Sequence, residues 1–256
     1  MHARRIDDRN EVEMLMPVLQ ELKDGLGVTQ ADLDGDALRA YVRSRFVTAY
    51  LATDHSGGET REAAQMLAEE LGAEHLVAEI QPAVDTHVAI ANQMLGIDLS
   101  WKNPAHDVPL QNVQARLRGS LIWMVANVRN FLLLSTSNKS EAAVGYTTMD
   151  GDTSGGLSPI ADVPKSLILV WLAWAAEFHG LRSLVEVDQM PATAELRPPD
   201  RKQTDEDDLM PFAVLDELMF LLVQRGQEPL EMFRSAWPVR AGETELRSRR
   251  GRGRAG

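Results

Sequence analysis

The sequence predicts an α/β fold in which a parallel β-sheet is wrapped by helices, followed by a mostly helical C-terminal part. Two observations carry this expectation. Three runs rich in β-branched, aromatic or leucine residues, FVTAYLAT (46–53), EHLVAEI (74–80) and NFLLLST (130–136), alternate with stretches of helical apolar spacing. Strand–helix alternation at these intervals calls for crossover helices over a parallel sheet. The chain also has 256 residues, no cysteine and 44% apolar residues, so a core of ordinary size forms without disulfides or thiolate metal sites.

In chain order, EVEMLMPVLQELKDGL has helical spacing, with Pro17 as an interruption and Gly25 and Gly27 closing it. DALRAYVRSRF reads as a second, short helix, and FVTAYLAT as a buried strand running into the loop DHSGG. ETREAAQMLAEELG has Glu59 and Glu62 in its first turn, apolar Ala63, Met66, Leu67 and Leu71, and Gly72 at its end. The strand EHLVAEI precedes a helix from about Pro82 to Leu95, and a loop with Pro104 and Pro109 leads into the amphipathic helix PLQNVQARLRGSLIWMVANV. NFLLLST is the clearest strand of the chain. From Pro164 onward the pattern is helical, broken by the loop MPATAELRPPDRKQTDEDD, and Trp171 and Trp174 are expected in the core.

Composition narrows the function. The start is charged and lacks an apolar signal region, and the longest apolar run, SLILVWLAWAAEF, is shorter than the ~18 residues of a membrane span. A cytoplasmic protein without a membrane partner is expected. Net charge is −12, but residues 240–256 hold six arginines and two glutamates, leaving a body with 20 basic and 36 acidic residues, a balance of −16. Such a body repels nucleic acid, and RSRRGRGRAG reads as a solvated tail with nothing to bury.

Ligands of open parallel sheets bind beyond the carboxyl ends of the strands. The segment there, STSNKSEAAVGYTTMDGDTSGG (135–156), is dense in hydroxyls, carboxylates and glycines. Ser137 or Asn138 caps the short helix that follows. Glu141 and Asp152 are of the type that ligates Mg²⁺, and the glycines let backbone approach a phosphate closely. Asn112 and Arg116 are four residues apart, hence on one helix face. Lys165 begins a very apolar helix, where a cation opposes the helix dipole and points to an anionic partner.

QNVQARLRG, the run from STSNKSEAAVGYTTMDGDTSGG through LSPIADVPKS, PATAELRPP and QTDEDDLMP, in this order and spacing, resemble the synthetase domain of glutamine-dependent NAD⁺ synthetases over residues 36–233. The resemblance implies an ATP-pyrophosphatase fold, adenine-nucleotide alpha-hydrolase-like, and two-step chemistry. ATP adenylylates the nicotinate carboxylate of deamido-NAD⁺ with loss of pyrophosphate, and ammonia then displaces AMP. It implies ATP and Mg²⁺ as cofactors, Thr136, Lys165 and Thr193 at ATP, Asn112, Arg116 and Asp152 at deamido-NAD⁺, and Glu141 at the metal, although some members assign that Glu to the dinucleotide. A lysine that some members place near the nicotinate is Met149 here.

The family's first strand ends in Ser-Gly-Gly-x-Asp-Ser, and SGGET (56–60) departs from it, with Thr60 at the Asp position and Arg61 next. Its context matches the family's second strand, so the loop is expected before residue 1. Neither a glutaminase domain nor its cysteine nucleophile is in the sequence, and the match ends after Phe233. The expected organisation is a helical segment over 1–35, a partial synthetase domain over 36–235 and an Arg/Gly-rich tail over 236–256. No catalytic side chain is assigned. The function expected is amidation of deamido-NAD⁺, incomplete in the isolated chain. The alternatives are a non-catalytic remnant with an exposed sheet edge, one half of a split synthetase, or another ATP pyrophosphatase such as a GMP-synthetase-like enzyme. Expected partners are the two nucleotides and ammonia. A second copy, or a separate polypeptide supplying the loop or ammonia, stays open.

Overall fold

A computed structural model describes residues 35–201 and 204–234 of the chain. The helix expected in residues 11–26 and the Arg/Gly tail lie outside the described residues. The elements run α1 Gly35–Arg45, β1 Val47–Ala52, α2 Gly58–Leu71, β2 Glu74–Glu79, α3 Gln81–Leu95, α4 Asp107–Arg129, α5 Lys139–Val144, α6 Lys165–His179, α7 Arg182–Gln189, α8 Asp205–Asp208 and α9 Phe212–Met219, the last continuing into a π-helical turn at Phe220–Gln224.

Local chemistry explains these limits. Pro82 sits in the first turn of α3, and Gly96 ends that helix in the left-handed region at φ 64°, its N–H returning to Asn92 O. Asp107 and Arg129 complement the dipole at the two ends of α4. Asn138 caps α5, as expected, in a reciprocal box with Glu141.

The described residues divide into two compact units, one of those up to 48 together with 65–76, the other of 49–64 and those from 77 onward. In the first, Glu74 N–H donates to Phe46 O at 3.3 Å and Thr48 Oγ1 lies 2.7 Å from His75 Nδ1. In the second, Ile80 N–H donates to Ala52 O at 2.8 Å. From one bond to the other each strand advances six residues in the same direction, so β1 and β2 are parallel neighbours, in a sheet that has two strands among the described residues. Peptide groups alternate along a strand. Those of Val47, Ala49 and Leu51 therefore face the outer edge of β1. The expectation of a buried strand holds only at Ala52, since the other five residues of β1 are half-buried.

The expected strand at 130–136 is not part of this sheet. The segment makes a single parallel bridge, Leu134 with Leu157, through Ser135 N–H to Leu157 O and Gly156 N–H to Leu133 O, each 2.8 Å. Its composition suits a strand, but a ladder needs a neighbour along its length, and Leu132 is 64% exposed.

In the second unit α3 packs on α4, and α6 packs on α5, α7 and α9. Trp171 and Trp174 correct a further expectation. Both are about half exposed, while Ala175 and Ala176 are the buried residues of α6. Small side chains let two helices approach closely, which turns the bulky ones outward. No helix of the described residues is long and apolar enough to cross a membrane.

Candidate functional site

The polar loop between α5 and α6 folds against α4. Thr148 is its anchor: its N–H donates to Asp152 Oδ2 at 2.8 Å, and its hydroxyl donates to Asn112 Oδ1 at 2.9 Å. One turn along α4, Arg116 Nε donates to Met149 O at 3.1 Å, with the side chain exposed. Asn112, Arg116 and Asp152, for which the family resemblance implies one ligand, thus meet at residues 148–152.

The glycines of this loop make close contacts within the chain. A Cβ on Gly151 would lie 2.8 Å from Ala115 Cβ, and one on Gly155 would lie 2.5 Å from Ser135 N. These glycines let the loop close on α4 and on the extended segment of its own chain. Ser135 and Ser137, both buried, fix it by donating from their hydroxyls to Asp152 O at 3.0 and 3.2 Å.

The second gathering lies where α5 meets α6. Lys165 Nζ is 3.2 Å from Glu141 Oε1, and each side chain is about a fifth exposed. The other oxygen, Glu141 Oε2, accepts from Asn138 N–H at 3.4 Å. The anionic partner that the position of Lys165 calls for is therefore present within the chain. Lys165 Nζ also lies 5.5 Å from the centre of the Phe212 ring. Beneath it, fully buried Ser140 donates to Asp216 and accepts from Lys165 N–H at 2.8 Å, while Asp216 accepts from Ser166 N–H at 2.9 Å. Two of the unpaired N–H groups that begin α6 are satisfied this way. Sequence reading missed Ser140 and Asp216, whose partnership spans 76 residues.

Among the described residues no three His, Asp or Glu side chains are grouped to hold a metal ion. Glu141 alone fits the single carboxylate that a Mg²⁺ ion takes when nucleotide phosphates supply its remaining ligands. Thr136 is exposed between buried Ser135 and Ser137. Thr193 lines a small pocket with His55, Tyr146 and Glu195, and its hydroxyl accepts from Glu195 N–H at 3.4 Å. Arg197 closes the same pocket, bound to Asp107 at 3.0 Å and to Asp208 at 3.1 Å. Tyr146 donates to Asp208 at 2.8 Å, and burial together with that carboxylate pushes its phenol well above the usual range.

Three further side chains went unread in the sequence. Gln114, 1% exposed, accepts from Thr53 Oγ1 at 3.0 Å and donates to Leu110 O at 2.9 Å and Leu196 O at 2.8 Å. The one available signal was a polar residue four positions after Leu110 on the apolar face of α4. Arg118, two residues beyond exposed Arg116, turns to the end of β1 and donates from Nε to Leu51 O at 3.0 Å. Burial lowers the guanidinium pKa, opposed by Tyr50, Glu195 and Asp152. Glu195, at φ 47°, accepts from Gly57 N–H at 3.1 Å and Thr60 Oγ1 at 2.9 Å. The glycine turn SGGET therefore cradles an anion, and that anion is the chain's own carboxylate.

A family model described as NAD synthase matches residues 30–243. The chain is 34% identical over 208 residues to a glutamine-dependent NAD(+) synthetase of Aquifex aeolicus, covering 79% of this chain and 34% of that protein. It is 35% identical over 179 residues to the protein of the same description from Thermotoga maritima, covering 70% and 30%. A crystal structure of a glutamine-dependent NAD(+) synthetase from Cytophaga hutchinsonii superposes with a TM-score of 0.68 at 34% identity, over 78% of this chain and 31% of that one. The chain spans about a third of the length of the relatives it matches.

Proposed function

Because the chain belongs to the NAD synthase family, we propose that it carries the nucleotide-facing part of a carbon–nitrogen ligase that amidates deamido-NAD⁺ at the expense of ATP. The observation that carries this reading is the convergence of Asn112, Arg116 and Asp152 on the 148–152 loop, with the Lys165–Glu141 pair at the start of α6. Arg116, exposed and held among the described residues through Nε, offers the rest of its guanidinium to an anionic group of the dinucleotide. Lys165 is the cation for a triphosphate, and Thr136 and Thr193 are the hydroxyls we place with it. Cytoplasmic ATP would supply the reaction.

A carboxylate resists attack by ammonia until its oxygen becomes a good leaving group, and transfer of AMP to it provides one. The residues act by position and charge. Lys165 would exchange its internal carboxylate for phosphate oxygens, and Glu141 is the residue that would hold a magnesium ion. Magnesium, when bound, offsets phosphate charge.

Calorimetric titration with deamido-NAD⁺ tests the first assignment. Arg116→Ala is expected to bind about tenfold more weakly, the loss of one charge-assisted contact. Unchanged affinity would remove Arg116 from the site. For Glu141, ATP affinity in the parent should rise with magnesium, and Glu141→Gln should lose most of that dependence while keeping its shape. Equal dependence in the two proteins would return Glu141 to pairing with Lys165 alone.

A second reading, that this chain is one half of a split synthetase, is favoured by the outer edge of β1, where Leu51 O is met by the Arg118 side chain and, among the described residues, by no neighbouring strand.

A further inference from the structure

Helix α6 turns an apolar stripe to solvent. Leu167, Trp171, Trp174 and Phe178 follow one another at intervals of four, three and four residues, which sets them along one face of the helix. They are 51%, 55%, 49% and 69% exposed, and Val170, equally exposed, borders them. The rest of α6 is spent on the fold, with Ala175 and Ala176 buried and α5, α7 and α9 packed against it. The stripe is also held in place. Trp174 and Phe178 stack with ring centres 4.9 Å apart at 15°, and the His179 ring meets both edge-on. Aromatic side chains ordered before contact lose little freedom on association, and they dominate the cores of protein interfaces.

Three observations select a second copy of this chain as the occupant. The first is symmetry. Intervals of four, three and four read the same in both directions, so the stripe is complementary to itself when two α6 helices run antiparallel about a twofold axis. Trp171 then faces Trp174 of the second copy, and Leu167 faces its Phe178. The second is charge. Glu177 is the one carboxylate between Leu167 and Phe178. An antiparallel pair sets the two Glu177 side chains at opposite ends and opposes the helix dipoles, whereas a parallel pair brings like charges together. A lipid surface is a poorer fit, since it favours cations beside the apolar face, and residues 166–179 hold no lysine or arginine in a chain of net charge −12. The third is area. Side chains of this size and exposure offer about 500 Å² per copy, so a pair buries about 1,000 Å², the scale of a reversible dimer. We propose that two copies of this chain associate through α6, antiparallel, with the Leu167–Phe178 stripe as the core of the interface.

The chain has no cysteine, so an introduced thiol reports its own neighbour. Leu167→Cys and Phe178→Cys proteins, mixed under mild oxidation, should form the mixed disulfide at least about tenfold faster than either protein links to itself. In the antiparallel pair two residues at position 167 lie about 16 Å apart along the helices, too far for a disulfide. Sedimentation equilibrium of the unaltered chain should show a dimer with a dissociation constant of about 10 µM. Trp174→Glu, at a half-exposed position, should weaken it at least about tenfold while the circular dichroism stays unchanged. A monomer at about 100 µM, full dimerisation by Trp174→Glu, or self-linking of Leu167→Cys as fast as the mixed disulfide would each overturn the proposal. The first outcome leaves the face to a different protein, the second places the dimer contact elsewhere, and the third makes the pair parallel. None of these readouts involves nucleotide binding or ligation, so failure of one reading leaves the other standing.

Discussion

Replacing Gln114 by alanine is expected to lower the unfolding free energy by about 3–5 kcal/mol. The side chain is 1% exposed and is the shared partner of three segments: Thr53 at the end of β1, Leu110 in its own helix and Leu196 in the loop that carries Thr193 and Glu195. Truncation leaves Leu196 O and the Thr53 hydroxyl without their partner and opens a void in a place that water reaches poorly. Each unpaired buried group costs about 1–3 kcal/mol, and the void adds to this. Urea denaturation measures the effect. Arg116→Ala is the control, two residues along the same helix but exposed, and should change stability by no more than about 0.5 kcal/mol. A loss under about 1 kcal/mol for Gln114→Ala would mean that water takes over its bonds, as it does in roomy polar cavities.

The contrast between these two residues shows what the sequence makes legible. Periodicity locates β1, β2, α3 and α4 to within a few residues, because each element satisfies its own backbone or pairs with a near neighbour in the chain. It places Arg116 and Asn112 on one face of α4, since that is a local property of a helix. It cannot say that Gln114 and Arg118 are the members of QNVQARLRG that turn inward. That depends on Thr53, Leu51 and Leu196, far away in sequence. The segment at 130–136 misleads for a related reason: β-propensity describes a residue's fit to a sheet, while the ladder depends on a neighbour that local composition does not reveal. The helix-start position of Lys165 points to an anion, and the pairing with Glu141, 24 residues earlier in the chain, is not visible in the local pattern. Both glycine-rich runs likewise proved to be close contacts within the chain, Gly57 on Glu195 and Gly151 on Ala115.

That last point sets the expected catalytic behaviour. The 256-residue chain should form NAD⁺ from deamido-NAD⁺, ATP, magnesium and ammonium at no more than about 10⁻² to 10⁻³ of its rate in the presence of a fragment bearing a β-strand that ends in Ser-Gly-Gly-x-Asp-Ser. Departing pyrophosphate needs backbone N–H groups preorganised around it, and the loss of a single such donor costs about 10²–10³ in rate. In this chain the amide of Gly57 is held by Glu195, and the Gly151 and Gly155 turns are closed on Ala115 and Ser135. The outer edge of β1 is where an added strand would pair, with Arg118 leaving Leu51 O as it enters. Free ammonium removes any dependence on a glutaminase, so a rate deficit would lie in the synthetase chemistry itself. Turnover restored by the fragment identifies a split enzyme, and none in either case favours a binding remnant. Full turnover by the chain alone would require one of its own glycine turns to open, and Glu195→Gln separates the two. By weakening the hold on Gly57 it should change the rate if SGGET serves pyrophosphate, and leave it unchanged if the 151–156 turn does.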